Sequence, residues 1–198
     1  MHGWAIYLAN YLSYSASGID FSVPWNEPPN DRLYRCALPT FINPSTSQVF
    51  DKKGYGLSHV AGNVHVLPIT RVPRSQANSR YLEFPAAAEG GADDRADMPL
   101  RLDDIRDGTS NTILIGEAAG KFRPWGHPAN VRDPTLGVGK NLDGFGSPAG
   151  MWGAQFLMVD GSVRFIGNEV DPKVMRALAT PAGGELVEIE SVAEQLSR

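Results

Sequence analysis

Four histidines, one cysteine and three Asp-Gly steps are the first places to look for chemistry in this 198-residue chain. His59 and His65 stand six apart, so in one regular strand they would share a face. Two imidazoles on one face could hold zinc or copper if a carboxylate joined them. Ala61-Gly62-Asn63 lies between them and reads as a strand break, which favours histidines that are hydrogen-bonded or partly exposed. The Asp-Gly steps fall at Asp107, Asp143 and Asp160. Asp-rich loops bind calcium through carboxylate and carbonyl oxygens, which makes Asp107 and Asp143 candidate calcium positions. None of the three matches an EF-hand loop. In Asp107-Gly108-Thr109-Ser110-Asn111 the polar side chains can instead bond their own backbone in Asx and ST turns. Cys36 is alone, which excludes an intrachain disulfide, a Cys-rich zinc site and a CxxC redox pair. Nucleophile and phosphate motifs also fail. Gly144 to Pro148 lacks the strand-turn-helix setting of a nucleophile elbow, and Gly139-Lys140 is followed by Asn141 rather than Ser or Thr. No catalytic residue and no metal-ligand set is therefore assigned. The candidate ligand-binding residues are Trp25, Trp125 and Trp152, expected to be exposed and able to stack on the faces of sugars.

The elements that must position these residues come next. In GAQFLMVDGSVRFIGNE, Gly153 to Glu169, two β-favouring arms flank Asp160-Gly161. Asp-Gly between apolar runs signals a two-residue type I′ hairpin, because Gly adopts positive φ without steric cost and Asp tolerates it. Apolar residues fall on both faces of the arms, so the pair should be largely covered. Asp160 is thus expected to turn the chain. Asp107-Gly108 should make a second turn that feeds a strand from Thr112 to Glu117. Trp4, Tyr7, Leu8, Tyr11 and Leu12 recur at helical spacing, which predicts one amphipathic helix from Gly3 to about Ser15 with the aromatic stripe facing the core. Asp171-Pro172 suits a helix start, with Val174, Met175 and Leu178 as its buried stripe and Pro181 to Gly184 as its stop. Residues 85–99 and 124–148 read as long polar loops, and Leu186 to Ile189 as a last short strand.

Composition sets the outer bounds. Hydrophobic residues make up 42% and charged residues 20%, enough for a real core in one domain. The net charge is −4 and the basic residues are scattered, with only a loose group at Arg71, Arg74 and Arg80, which argues against a general nucleic-acid binder. No apolar run reaches the length of a membrane helix, so no membrane contact by this chain is expected.

The pair DIRDGTSNTILIGE and FLMVDGSVRFIG, with YRC well upstream, resembles a family of unknown function (DUF1559) abundant in planctomycete-type bacteria. Its members are described as prepilin-type processing-associated H-X9-DG proteins. The segment GWAIYLANYL…FSVPWNEPPN…YRC and the later LATPAGGE are similar to the same family, so the resemblance runs from about Gly3 to Glu185. It implies an α+β, antiparallel β-rich head like that of a pilin or pseudopilin, with few helices and long loops. It also implies protein partners in an envelope or filament assembly, no enzyme activity and no cofactor. Asp107, Gly108, Thr109, Ser110, Asn111, Glu117, Asp160 and Gly161 become the structural motif residues. Three departures stand out. The family histidine falls at Gly150, Cys36-Ala37-Leu38-Pro39 replaces the Cys-Pro-Ser pattern, and a pilin leader with its long apolar helix is not in this sequence. With a pilin-like anchor the protein would be extracytoplasmic, and without one the cytoplasm becomes open to it. The alternative reading is a module that binds a solute, a glycan or an ion.

Overall fold

The computed structural model describes residues 1–12, 14–67 and 100–184. The expectations for residues 85–99, for the basic group at Arg71, Arg74 and Arg80, and for a strand at Leu186 to Ile189 lie outside the described residues. The described residues form an α+β fold rich in antiparallel strands. The strands are β1 (Leu57–Ser58), β2 (Val60–Asn63), β3 (Ile113–Glu117), β4 (Arg123–Pro124), β5 (Val131–Arg132), β6 (Gly153–Met158) and β7 (Val163–Gly167). Five of them form one sheet in the order β5-β2-β3-β6-β7, while β1 and β4 pair separately. Every pairing is antiparallel except β2 with β5. A register shift between Ile113 and Ile115 interrupts the regular pairing of β3 with β6.

The sheet is built around β6 and β3. Their apolar side chains pack with α2 (Pro172–Ala179) into one core that includes Ile113, Phe145, Phe156, Met158, Ile166, Met175 and Leu178. The start of α2 is as the sequence requires. The Asp171 carboxylate accepts from the Lys173 N–H at 2.7 Å, and Pro172 fills the first position, where no donor is needed. A second core is aromatic. Trp25, Tyr34, Phe41, Tyr55 and Trp125 pack with Ala5, Ile6 and Ala9.

Several expectations are corrected. The first helix is a single α-turn, α1 (Ala5–Leu8), followed by a 3₁₀ turn over Ala9–Leu12. Its buried side is Ala5, Ile6 and Ala9, while Tyr7 and Tyr11 stand out in solvent. Small residues let this short element lie close to its neighbours, and Gly3 takes part, since a Cβ there would meet the His127 carbonyl oxygen at 2.6 Å. Ala61-Gly62-Asn63 does not break a strand but lies within β2. Residues 124–148 contain β5, and Val138 and Phe145 from this stretch are fully buried, with Phe145 bridging to Ala118 and Val138. The turn after β6 is not type I′. Gly161 has φ +86°, but Asp160 is not among the residues at positive φ. Gly161 N–H donates to the Met158 carbonyl at 3.0 Å and Met158 N–H donates to Ser162 at 2.8 Å. That is a three-residue loop, Val159-Asp160-Gly161, whose left-handed third residue forms a bulge.

Candidate functional site

The two Asp-Gly turns, far apart in sequence, meet in space. Val159 N–H donates to the Thr112 carbonyl at 3.0 Å, and Asp160 N–H donates to the Thr109 carbonyl at 3.1 Å. Each turn is shaped by its own side chains. The Asp160 carboxylate accepts from the Ser162 hydroxyl at 2.6 Å and from the Ser162 N–H at 2.8 Å. Those bonds, the hydroxyl's first, stabilise the carboxylate and hold its pKa below the usual carboxylate range. Gly108 takes φ +95° and precedes a 3₁₀ turn over Thr109–Asn111, where Ser110 sits in the middle. The Thr112 hydroxyl donates to the Gly108 carbonyl at 3.1 Å, and the Asn111 amide donates to the Asp107 carbonyl at 3.2 Å.

Asp107 reaches further. Its two carboxylate oxygens accept the backbone N–H groups of Gly183 at 2.7 Å and Gly184 at 3.0 Å. In return, the Pro181 carbonyl accepts from Arg106 N–H at 2.7 Å and Asp107 N–H at 3.2 Å. These four bonds clasp the segment after α2 to the first turn. Asn63, fully buried at the end of β2, closes the other side. Its amide donates to the carbonyls of Ile113 at 2.8 Å and Ala179 at 2.7 Å, and its oxygen accepts from His65 N–H at 3.0 Å. Glu117 acts at the far end of β3, accepting from the Asn43 amide and from Gln155 N–H, each at 2.9 Å.

The histidines do not converge. His59 is buried, accepts from Asn43 N–H at Nδ1, and donates from Nε2 to the Gln48 carbonyl. His65 Nε2 stands 3.1 Å from Asp133, and that bond is the first cause holding the Asp133 carboxyl down at about 2. Among the described residues no three His, Cys, Asp or Glu side chains come together. Of the two candidate calcium positions, Asp107 is engaged by backbone amides, and the Asp143 carboxylate accepts a short bond from Lys121 Nζ at 2.5 Å. The tryptophans are also corrected. Trp25 and Trp125 belong to the aromatic core, and the Trp125 indole N–H donates to the Cys36 carbonyl at 3.0 Å. Only Trp152 is exposed, at 62%, with its ring edge-on to Phe165. The stacking platform expected from three tryptophans is absent because burying two of the rings is worth more than leaving them to solvent.

Sequence reasoning missed a basic junction between β4 and β5. Arg123 donates from Nη1 to the Ala129 carbonyl. Arg132, 3% exposed, donates from Nη2 to the carbonyls of Lys121 at 3.0 Å and Gly120 at 3.4 Å, and from Nη1 to its neighbour Val131. Each arginine thus holds a carbonyl on the segment that carries the other. Burial, then Arg123, lowers Arg132 to about 10. Burial, then the two guanidiniums, lowers His127 to about 4. Arg123 and Arg132 lie nine apart with Trp, Gly, His and Pro between them, a spacing with no periodic signal.

Gly150, where the resemblance places a histidine, has φ +68° and open space around it. A side chain there would meet no neighbour but would oppose the left-handed backbone. Among the described residues no helix is long and apolar enough to cross a membrane.

The family model described as "Protein of unknown function (DUF1559)" matches residues 2–138. No curated protein and no solved structure matches the chain.

Proposed function

We propose, for a chain that belongs to the DUF1559 family, that it is a non-enzymatic interaction domain, comparable to the head of a pseudopilin in a secretion or surface-filament system. The observation that carries this reading is how the motif residues are spent. Asp107, Asp160 and Glu117, and Asn63 beside them, direct their polar atoms at backbone groups of other segments or of their own turn, so these residues act as joints that fix loops on a sheet. A domain of this kind works through the surface it presents. The exposed rings Tyr7 and Phe21, which stack on each other, and Trp152, which lies edge-on to Phe165, are candidate contact points for protein partners in the envelope.

The test is made in the native producer with an antibody to this domain. Cells are fractionated and the endogenous protein is sized. A product several kilodaltons larger, in the envelope or in a sheared-surface fraction, supports the head reading. A product of this chain's mass in the soluble cytoplasm overturns it and moves a solute-, glycan- or ion-binding module to first place.

A further inference from the structure

The basic junction has more positive charge than its surroundings answer. Arg132 is buried, and its Nε–H has no hydrogen-bond partner. Its other donors reach only neutral carbonyl oxygens. Arg123 is half-buried beside it and makes one bond, also to a carbonyl. Among the described residues neither guanidinium has a carboxylate within ion-pair distance. The acid that acts on both at longer range is Asp143, which is already bonded to the exposed Lys121. His127 beside the pair is held neutral and accepts from Ala129 N–H at Nδ1, and Lys121 itself sits at φ +42°, the one non-glycine residue at positive φ among those described. A buried guanidinium left without an anion is costly, because its desolvation is not returned by an opposite charge. What the pair lacks is an opposite charge, and an anion beside Arg123 would offset both guanidiniums at once.

We propose that the Arg123–Arg132 pair, at the junction of β4 and β5, is a binding site for a small oxyanion. Guanidinium forks match the oxygen spacing of carboxylate, sulfate and phosphate, which share the chemistry needed here. The oxyanion accepts from the free donors of Arg123 at the surface, and Arg132 behind it supplies the second charge. Lys121 and Asp143 form the rim. The carbonyls of Ala129, Gly120 and Lys121 hold both forks in place before the anion arrives, so little side-chain ordering is left to oppose binding. The site does not depend on the interaction-domain reading, and either can fail alone.

The experiment is a thermal-shift titration of the full chain with sodium phosphate, sodium sulfate and sodium acetate, each against sodium chloride at equal ionic strength. A ligand that binds only the folded state raises the melting temperature in a saturable way. The expected result is a saturable rise of about 3 °C or more with at least one oxyanion over chloride. Sulfate and phosphate also stabilise proteins generally by exclusion from the surface, so the same titration is run on Arg123→Gln. Loss of the saturable part in that variant supports the site. No rise over chloride in the wild type, or an equal rise in the variant, overturns it. Should Arg123→Gln not fold, the arginine Nε–H resonances of the wild-type chain decide. Movement of the Arg132 and Arg123 signals with oxyanion supports the site, and signals that stay fixed overturn it. The shift pattern among phosphate, sulfate and acetate distinguishes a tetrahedral from a planar ligand.

Discussion

At the residue scale, burial decides what each polar side chain does. His127 shows the consequence most directly. Its folded value of about 4 lies below the ordinary histidine value of 6.5, because burial and then two neighbouring arginines disfavour the imidazolium. The unfolded chain therefore binds a proton that the folded chain refuses. The stability tied to neutral His127 is fully present above pH 6.5 and is lost as pH falls toward 4, by up to about 3 kcal/mol. His2 adds to the same trend, since burial lowers it too. Urea unfolding at pH 7, 5.5 and 4.5 should show the fall, and His127→Gln should flatten it. A variant with the same pH slope as the wild type would mean that His127 titrates normally. Oxyanion at the neighbouring arginines would lessen the fall, because a negative charge there favours the imidazolium.

At the scale of elements, turns and clasps define the arrangement. Gly161 stands at φ +86° with open space around its Cα, so a side chain there meets backbone strain alone. Gly161→Val is expected to cost about 1–3 kcal/mol, read as a lower melting temperature, and Gly161→Asn much less, since Asn tolerates the left-handed region. Equal losses in both would show that the strain lies elsewhere. Asp107→Ala removes the acceptor of Gly183 and Gly184 and should cost about 1–3 kcal/mol. Amide exchange at those two glycines should rise more than at β6, and an unchanged pattern would contradict the clasp. Much of this scale was legible in the sequence. The β6–β7 hairpin, β3 and α2 announce themselves through Asp-Gly, β-favouring runs and Asp-Pro, all of them local signals. What was hidden is long-range. Nothing near Asp107 says that its carboxylate will meet residues 183 and 184, and nothing near Asn63 announces partners at Ile113 and Ala179. The first helix was misread for a related reason: helical spacing of Tyr7 and Tyr11 marks a face, but the packing partner, available only in three dimensions, chose the alanine side. The type I′ expectation failed because two- and three-residue loops share the Asp-Gly signature, and only the bonds of Met158 tell them apart.

At the scale of the whole molecule, two cores share one frame. The sheet core is aliphatic with Phe145 and Phe156, and the second is dominated by aromatic rings. His59 touches both regions, lying between β1 and β2 with its ring 4.3 Å from Phe122, which packs against the sheet core. Phe156→Ala should therefore cost about 3–5 kcal/mol, and the loss should be felt in both cores. Circular dichroism follows the sheet, whereas three of the four tryptophans, Trp4, Trp25 and Trp125, report on the aromatic core. The two unfolding midpoints should fall together, and a tryptophan midpoint that stays put would show that the cores melt separately.

The joint at Asn63 also has a meaning in time. It needs β2, the start of β3 and the end of α2 to be present together, and its partners lie 50 and 116 residues along the chain. The β6–β7 hairpin, by contrast, closes over a few residues. Distant contacts form only after the entropy of closing large loops has been met. The chain can thus shape its hairpin early, while the three-way joint is among the last contacts to close. Asn63 then acts less as a guide to the fold than as its fastener, holding back the rate at which the finished molecule comes apart.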